Sequence, residues 1–385
     1  MTAAVADAPV IVAARRTPIG TAGRSLAACT AADLAAAVLT DLAADARTGT
    51  GPRASLREVV LGNCMGPGGD VARVAALQAG LPIAVPGLTV DRQCASGLAA
   101  VVLGATMLRG EVGTVLAGGV ESASTAPWRS WPPRGDVPAT RYERAPFAPS
   151  GLGDPDMGPA ADLIAREHGI TRAQQDEYAA RSHARAMATQ RAEGFAAEIV
   201  PVGGVSCDQR PRDGLTVERL GRLRPAFDPA GTVTAGNSCG INDGAAVVTL
   251  VDAATHRRQG GRGLRVIATA TAGVDPRRPG LGIVPAAEQA LDRAGISLGD
   301  VDVVELNEAF AGQILACCAA LGLEPERVCP QGGALALGHP WGASGAVLAV
   351  RLFSQLARGD AGRYGLAAIA AGGGQGVAMV VEACG

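Results

Sequence analysis

The sequence of 385 residues contains no lysine, so all 34 strongly basic side chains are arginines. Schiff-base enzymes, pyridoxal-phosphate enzymes and P-loop nucleotide enzymes all require a lysine, and its absence excludes these three classes. The net charge of −2 lacks the excess of positive charge that is typical of nucleic-acid-binding proteins. No apolar run reaches the ~18 residues of a membrane span. We therefore expect a globular protein with no nucleic-acid or membrane partner.

The cysteines lack the features of a disulfide or zinc protein. Their number, nine, is odd and their spacing is irregular, which indicates a reducing cytoplasm instead of a disulfide framework. No Cys-x-x-Cys pair occurs, so we expect no structural zinc and no other metal site. Residues 1–20 have no basic start before their apolar run, and they predict a first strand and not a signal peptide.

Two glycine-rich segments lack the context of a cofactor or hydrolase motif. GGGQG at 372–376 closes a strand but has no helix-forming stretch behind it, as a dinucleotide-binding fold requires. GASGA at 342–346 lacks the residue between serine and glycine that a nucleophile elbow contains. We therefore expect no tightly bound cofactor.

Cys94 lies where a predicted strand ends and an alanine- and glycine-rich helix begins. Residues 88–97 read LTVDRQCASG, and the run that follows is long, apolar and free of proline. At a helix N-terminus, unpaired N–H groups and the helix dipole favour a thiolate over a thiol. For an isolated cysteine, a buried structural role is the more common interpretation.

A second copy of this pattern strengthens the case for Cys94. Residues 342–345 read GASG and precede a helical run, an Arg-Gly-acid close and an apolar strand that ends in glycines. The same order of elements follows Cys94, which predicts an internal duplication, with chance similarity in an alanine- and glycine-rich chain as the alternative. A pseudo-twofold fold would place Cys94 and His339, just ahead of the second copy, over one cleft.

Six motifs in order span nearly the whole chain. They are LTVDRQCASGL at 88–98, GGVES at 118–122, TAGNSCGINDGAA at 234–246, NEAFAGQ at 307–313, GGALALGHPWGASGA at 332–346 and GGGQGVAMVVE at 372–382. In these motifs the chain resembles the thiolase family, which makes or breaks β-ketoacyl-CoA through a cysteine-bound acyl group. The resemblance implies an α/β thiolase fold: two similar halves related by a pseudo-twofold duplication, a five-layered α/β/α/β/α arrangement and an inserted loop domain.

The alternation of predicted strands and helices divides the chain into three parts. Residues 1–120 form an N-terminal α/β half that carries the nucleophile. Residues 121–250 form a loop domain, which begins with a long irregular segment and covers the CoA site. Residues 251–385 form a C-terminal α/β half that carries the NEAF, GHP and GGG motifs.

The resemblance implies catalytic roles for four residues. Cys94 is the nucleophile, and His339 pairs with it and also faces the thioester oxygen. Asn307 holds a water that forms one oxyanion hole with His339, and the backbone N–H groups of Cys94 and Gly372 form the second. Fixed donors of this kind stabilise the negative charge that develops on a thioester oxygen.

The acyl and coenzyme A pocket is the second group of implied residues. These residues are Met157, Phe227, Ala235, Cys239 and Phe310. Arg219 belongs to an arginine cluster that could bind the coenzyme phosphates, with a solvated helix face as the alternative. The other three of the four histidines, His168, His183 and His256, lie in charged or polar segments and are predicted to be surface residues.

Ala370 is the main departure from the family pattern. At this position, two residues before the first of the three glycines, the family has a second cysteine that exchanges a proton with the acetyl group and the leaving thiolate. A methyl group cannot do so, and loss of a general acid–base costs ~10²–10⁴ in rate. Three explanations stay open: an engineered inactive variant, a natural divergent member, or replacement by another group, with Cys239 as the first candidate.

Two classes of function follow, and a third is a weaker alternative. The first is an acyltransferase that interconverts two acyl-CoA molecules, chiefly acetyl-CoA, with a β-ketoacyl-CoA and CoA, with condensation and thiolysis impaired by Ala370. The second is an acyl-CoA hydrolase or acyl-transfer enzyme without Claisen chemistry. The third is a catalytically silent CoA-binding subunit. Acyl-CoA and CoA are the expected partners, the CoA thioester is a substrate and not a cofactor, and the resemblance implies a homodimer or homotetramer.

Overall fold

The computed structural model describes residues 7–44 and 56–385, which form twelve strands and eleven α-helices. The strands are β1 Val10–Arg16, β2 Gly20–Thr21, β3 Leu56–Gly62, β4 Gly87–Val90, β5 Thr114–Ser122, β6 Arg129–Trp131, β7 Thr140–Tyr142, β8 Asn242–Val251, β9 Gly263–Gly273, β10 Val303–Leu306, β11 Tyr364–Ala371 and β12 Gln375–Cys384. The helices are α1 Ala31–Ala44, α2 Val71–Gln78, α3 Ser96–Met107, α4 Met157–Glu167, α5 Arg172–Arg191, α6 Val217–Gly221, α7 Ala253–Gln259, α8 Ile283–Ala294, α9 Ala311–Leu321, α10 Ala334–Leu337 and α11 Trp341–Leu352. A π-helical turn, Phe353–Arg358, continues α11.

The strand order repeats between the two halves of the chain. The first half has the order β4-β3-β5-β8-β1, with parallel pairing among β4, β3 and β5 and antiparallel pairing on to β8 and β1. The second half has β10-β11-β12-β9, parallel and then antiparallel, and a short parallel bridge from Val304 to Val328 takes the place of β4. Two residue pairs between β1 and β9 join the halves. This repeat confirms the predicted duplication.

The layered arrangement of helices and sheets follows from the face of the sheet on which each strand side chain packs. Val248 packs in a central core with α3 and α11, whereas its neighbour Val247 packs on the opposite face with α1 and α2. Met379 and Val380 of β12 divide in the same way between the central core and the core under α8 and α9. Successive residues of a strand point to opposite faces, so each half of the sheet is covered on both sides. The result is the predicted five-layered α/β/α/β/α arrangement.

The central position of α3 and α11 follows from their composition. Both helices carry apolar or small residues on all sides, and every residue of α11 after Trp341 is buried. A helix that is apolar all round must be covered all round, which two sheet halves accomplish. In the described part of the chain, no helix is both long and apolar enough to cross a membrane.

The two Ala-Ser-Gly copies meet in this central layer. A Cβ atom on Gly345 would lie 2.4 Å from the backbone nitrogen of Leu98, and one on Gly97 would lie 2.7 Å from the carbonyl oxygen of Gly342. Only glycine therefore permits α3 and α11 to approach so closely. Cys94 and His339 each lie two residues before the start of one of these helices, so their crossing brings the two residues to one place.

Substitution of Gly345 by alanine is expected to destabilise the protein by about 1–3 kcal/mol, because the new methyl group overlaps the α3 backbone. The thermal unfolding midpoint, measured by calorimetry, should fall accordingly. Gly221→Ala is the matched control, since Gly221 is also a helical residue but a Cβ atom on it would have no neighbouring atom within 4 Å. Equal midpoints for the two variants would contradict the close packing of α3 on α11.

The segment between β5 and β8, inserted within the first half, contains the β6–β7 hairpin and helices α4, α5 and α6. Strand β8, at the end of the 121–250 range, belongs to the sheet of the first half. The division of the chain into three domains at residues 120 and 250 stays a prediction. Helices α4 and α9 pack beside the ends of β10 and β11, and this packing positions the candidate active site.

Candidate active site

A cavity of about 100 Å³ lies where the two halves meet. Eight of the eleven residues predicted from the sequence line it: Cys94, Met157, Cys239, Asn307, Phe310, His339, Ala370 and Gly372. The remaining lining is mostly apolar or small: Ala160, Ala161, Ile164, Pro279, Gly280, Ala309, Gln313, Trp341 and Ala371. A mostly apolar cavity with a few convergent polar groups is typical of a small-molecule site.

A tight turn holds Cys94 at the cavity. Gln93 has a φ of 49°, in the left-handed region that a residue with a side chain rarely adopts. The Ser96 hydroxyl donates to the Gln93 carbonyl at 2.6 Å and accepts from the Arg92 amide at 2.7 Å, and the Gln93 amide donates to Asp91 at 2.7 Å. These bonds hold the strained residue in place, and such strain is found most often at functional sites.

The Cys94 thiol is neutral in the free protein. Burial, the neighbouring Cys239 and the carboxylates Glu121 and Asp91 raise the pKa of the Cys94 thiol to about 12, against a smaller lowering by a backbone hydrogen bond. The prediction that the helix N-terminus favours the thiolate is therefore wrong. Helix α3 begins two residues later, at Ser96, and the apolar cavity disfavours a charge on sulfur.

His339 supplies the group that can take the Cys94 proton. Its Nδ1 is 2.6 Å from the Ser344 hydroxyl, and its backbone amide donates to Asn242 Oδ1 at 2.9 Å. Burial lowers the pKa of His339 to about 4, so the imidazole is neutral near pH 7. Because Nδ1 faces Ser344, Nε2 is the nitrogen left for the cavity. The site therefore holds a neutral thiol and a neutral imidazole.

Two of the other histidines are buried, contrary to prediction. His183 lies inside α5 and accepts a hydrogen bond from the Arg212 amide at 3.2 Å, and His256 lies 2.9 Å from the carbonyl oxygen of Gly261. His168 is exposed, as predicted. The charged segments around His183 and His256 misled the prediction because each histidine lies on the inner face of its helix. Neither residue lines the cavity.

Asn307 and Gly372 follow adjacent strands. The backbone N–H of Asn307 donates to the Ala368 carbonyl at 3.0 Å, which places Asn307 at the end of β10 beside β11. Gly372 directly follows β11, and a Cβ atom on it would lie 2.5 Å from the Phe147 ring. Because β10 and β11 are parallel, both residues emerge at the same edge of the sheet, next to the cavity.

Comparison with protein families matches residues 9–254 to the thiolase N-terminal domain and residues 263–383 to the thiolase C-terminal domain. The chain belongs to the thiolase family. It is 42% identical to an acetyl-CoA acetyltransferase of Pseudomonas aeruginosa and to one of Escherichia coli, with 97% of this chain and 98% of each relative covered. It is 40% identical to the putative acetyl-CoA C-acetyltransferase YhfS of Bacillus subtilis, with the same coverage.

A solved structure agrees with this membership. The crystal structure of the Bacillus anthracis acetyl-CoA acetyltransferase superposes with a TM-score of 0.89 at 35% identity and covers 98% of this chain and 99% of that one. The thiolase fold predicted from the motifs is confirmed, and this thiolase is an enzyme of the acyltransferase class.

Ala370 presents only a methyl group to the cavity of this thiolase. It lies in β11, paired with Gly376 of β12. Among the lining residues, Cys94, Cys239 and His339 carry the only side chains that exchange a proton readily. Burial raises the pKa of the Cys239 thiol to about 12, although the Arg210 guanidinium opposes this shift. A general acid–base at position 370 is therefore absent, and Cys239 is the remaining thiol.

Three predicted pocket residues do not line the cavity of this thiolase. The Phe227 ring is half exposed, 6.4 Å from the Phe310 ring centroid, so it lies beside the cavity wall. Ala235 is exposed in a turn. Arg219 donates to the Gly214 carbonyl at 2.9 Å. Whether these residues contact coenzyme A stays a prediction.

Sequence reasoning missed the carboxylate that ties the site's loops together. Glu121 of β5 accepts hydrogen bonds from the amides of Cys64, Met65 and Gly342, each at 3.1 Å, and from Asn63 Nδ2 at 3.0 Å. Burial raises the pKa of Glu121, and the amides oppose this shift. The signal was present in GGVES, because a carboxylate in an otherwise apolar strand must find buried donors.

Proposed function

We propose that this thiolase transfers acyl groups between CoA thioesters through an acyl-Cys94 intermediate, with acetyl-CoA as the principal substrate. The observation that supports it most is the single cavity that Cys94, His339, Asn307 and Gly372 line together. The relatives named acetyl-CoA acetyltransferase, which match over nearly their whole length, support the acetyl group.

The acylation step starts from the neutral pair. His339 Nε2 accepts the Cys94 proton as the sulfur attacks the thioester carbonyl, so no free thiolate has to persist in the apolar cavity. The carbonyl oxygen becomes negative, and the donors at Asn307, His339, Cys94 and Gly372 stabilise it. The C–S bond to coenzyme A then breaks, and the leaving thiolate takes the proton from the His339 imidazolium.

The carbon–carbon step makes a different demand. A second acetyl-CoA must lose a proton from its methyl carbon before that carbon attacks acyl-Cys94, and thiolysis returns this proton. Ala370 cannot exchange it, so we propose that condensation and thiolysis are slow in this chain. The alanine at position 370 also supports hydrolysis of acyl-Cys94 by water as a second function, since hydrolysis removes no proton from a carbon atom.

Incubation with acetyl-CoA is expected to add one acetyl group to Cys94. Intact-mass spectrometry followed by peptide mapping measures it, and Cys94→Ser is the control that should show no thioester adduct. Correct folding of the control is checked by circular dichroism. Absence of the adduct in the folded native chain would remove Cys94 as the nucleophile and contradict the proposed function.

Several further features stay predictions for this thiolase. They are the homodimeric or homotetrameric assembly, the cytoplasmic location and the absence of a cofactor beyond the CoA substrate. Among the residues that the structure describes, no three histidine, cysteine or carboxylate side chains cluster as metal ligands would.

A further inference from the structure

A second, much smaller cavity lies behind the active site. Its volume is about 10 Å³, roughly the space that one water molecule requires. Its polar lining residues are Glu305, Asn307, Ser344 and Arg351, and the rest of its lining is glycine or apolar. Glu305 and Asn307 reach it together because alternate residues along the β10 direction point the same way. Two of its residues, Asn307 and Ser344, thus connect it to the active site.

Two of the lining residues each carry a buried polar atom that has no hydrogen-bond partner within the described residues. The two atoms are Glu305 Oε2 and Arg351 Nε, an acceptor and a donor. The other polar atoms of these side chains are satisfied: Gln355 Nε2 donates to Glu305 Oε1 at 2.6 Å, and Arg351 bonds to Glu198 and Gln331. Glu305 and Arg351 are each only 1% exposed. A buried water with two to four polar partners is the usual solution for such orphaned atoms.

Ser344 connects this cavity to the imidazole. Ser344 lines the cavity, and its hydroxyl lies 2.6 Å from His339 Nδ1. A hydroxyl can donate one hydrogen bond and accept others, so its orientation depends on what faces it from the cavity. If Ser344 accepts from His339, the proton is on Nδ1, and if Ser344 donates to His339, the proton is on Nε2.

We propose that Glu305 is a positioning residue that selects the tautomer of His339 through one buried water and the Ser344 hydroxyl. With the carboxylate ionised, the water donates to Glu305 and accepts from Ser344, which in turn accepts from His339 Nδ1–H. Nε2 is then a free base for the Cys94 proton. With the carboxyl protonated, every bond in the chain reverses, Ser344 donates to Nδ1 and the ring proton lies on Nε2. The carboxyl takes up one proton from solvent, and the ring carries one proton in both states.

The surroundings of Glu305 place this switch in the physiological range. Burial raises the pKa of the Glu305 carboxyl to about 7, and the nearby Glu308 adds a smaller effect in the same direction. Arg351, Gln355 and Cys329 oppose this shift. Arg351 comes from α11, Gln355 from the π-helical turn, and Cys329 from the loop before α10. The hydrogen-bond chain should therefore change direction near pH 7.

The charged and titratable groups around Glu305 and His339 would not produce the same change near pH 7. Arg351 is also paired with Glu198, which Arg16 holds from the other side. On the cavity side of His339, the thiols of Cys94 and Cys239 have pKa values of about 12 and stay neutral. His339 itself, with a pKa of about 4, stays neutral over the same range. A change of tautomer near pH 7 would thus be separable from protonation of the ring.

Nitrogen-15 NMR of the histidine rings tests the proposal in the full-length protein. It distinguishes protonated from unprotonated ring nitrogens, and the four histidines can be assigned with single His→Asn variants. We expect the His339 proton on Nδ1 at roughly pH 8.5 and on Nε2 at roughly pH 5.5, on either side of the Glu305 pKa. The same tautomer at both pH values would overturn the proposal.

Two variants sharpen the test. In Glu305→Gln, the carbonyl oxygen replaces Oε1 beside Gln355, so the NH₂ group faces the cavity as a fixed donor. The His339 proton should then lie on Nε2 at both pH values, and Cys94 acetylation at roughly pH 8.5 should fall by about 10²-fold, the usual effect of losing a general base. Ser344→Ala interrupts the chain and should abolish the pH response. A Glu305→Gln protein that still switches would overturn the proposal.

Glu308→Gln is the matched control. Glu308 is buried at the same strand end, but its carboxylate bonds to Tyr178, Ser182 and the Leu335 amide and does not line the small cavity. The tautomer change should persist in this variant, and its loss would assign the effect to general burial of charge. The inference rests on His339 as the base of the proposed function, but NMR reads the tautomer whether or not Cys94 becomes acetylated, so the two can fail separately.

Discussion

Replacement of Ala370 by cysteine is expected to raise the rate of acetoacetyl-CoA thiolysis by ~10²–10⁴, the usual contribution of a general acid–base. The methyl group of Ala370 already lines the cavity with Cys94, so a thiol there would face the same substrate. Acylation of Cys94 should change little, because that step uses His339. The measurement is steady-state thiolysis, followed by loss of acetoacetyl-CoA absorbance, beside single-turnover acetylation by mass spectrometry.

The matched control is Ala370→Ser, which adds a hydroxyl of similar size to the thiol but with a much higher pKa. It should not reproduce the gain, since a hydroxyl is a poor proton carrier near pH 7. Thiolysis by the native chain at an ordinary enzymatic rate, on the order of 10 s⁻¹, would contradict the argument. Cys239, the other thiol of the cavity, would then be the base, and Cys239→Ser should abolish that rate.

The fold was predictable because its main determinants are local in the sequence. The Ala-Ser-Gly copies predict two helices that begin in the same way, and a duplication places those helices about a common axis. The predicted meeting of Cys94 and His339 is confirmed because Gly97 and Gly345 let the two helices approach within backbone contact. The sequence predicted that GGGQG closes a strand, and the structure adds that this strand pairs in parallel with β10, so that Gly372 and Asn307 emerge side by side.

The electrostatics of the site were not predictable, because they depend on burial that no motif encodes. The sequence suggested a thiolate at Cys94, whereas the apolar walls and nearby acidic groups hold it as a thiol. His183 and His256 lie in polar segments yet are buried, because the inner face of a charged helix is still covered. The connection from Glu305 to His339 joins residues 34 positions apart, and only the packing of α11 on β10 reveals it.

The difference between a thiol and a thiolate at Cys94 leads to the second large effect, that of His339→Asn. With a pKa of about 12, only about 10⁻⁴ of the Cys94 thiol is ionised at pH 8. Without the imidazole, acetylation must rely on that fraction, so we expect the rate to fall by ~10²–10⁴. The remaining rate should rise about tenfold for each pH unit, because each unit below the pKa multiplies the thiolate fraction by ten.

The measurement is the rate of Cys94 modification across roughly pH 7 to 10, with acetyl-CoA and separately with iodoacetamide, which needs no CoA site. His168→Asn, on the exposed histidine, is the control and should follow the native profile. The native chain should show no such steep rise above pH 8, since His339 takes the proton as the sulfur attacks. If His339→Asn matched the native chain in rate and in pH profile, the helix N-terminus alone would ionise Cys94. The neutral thiol–imidazole pair would then be wrong.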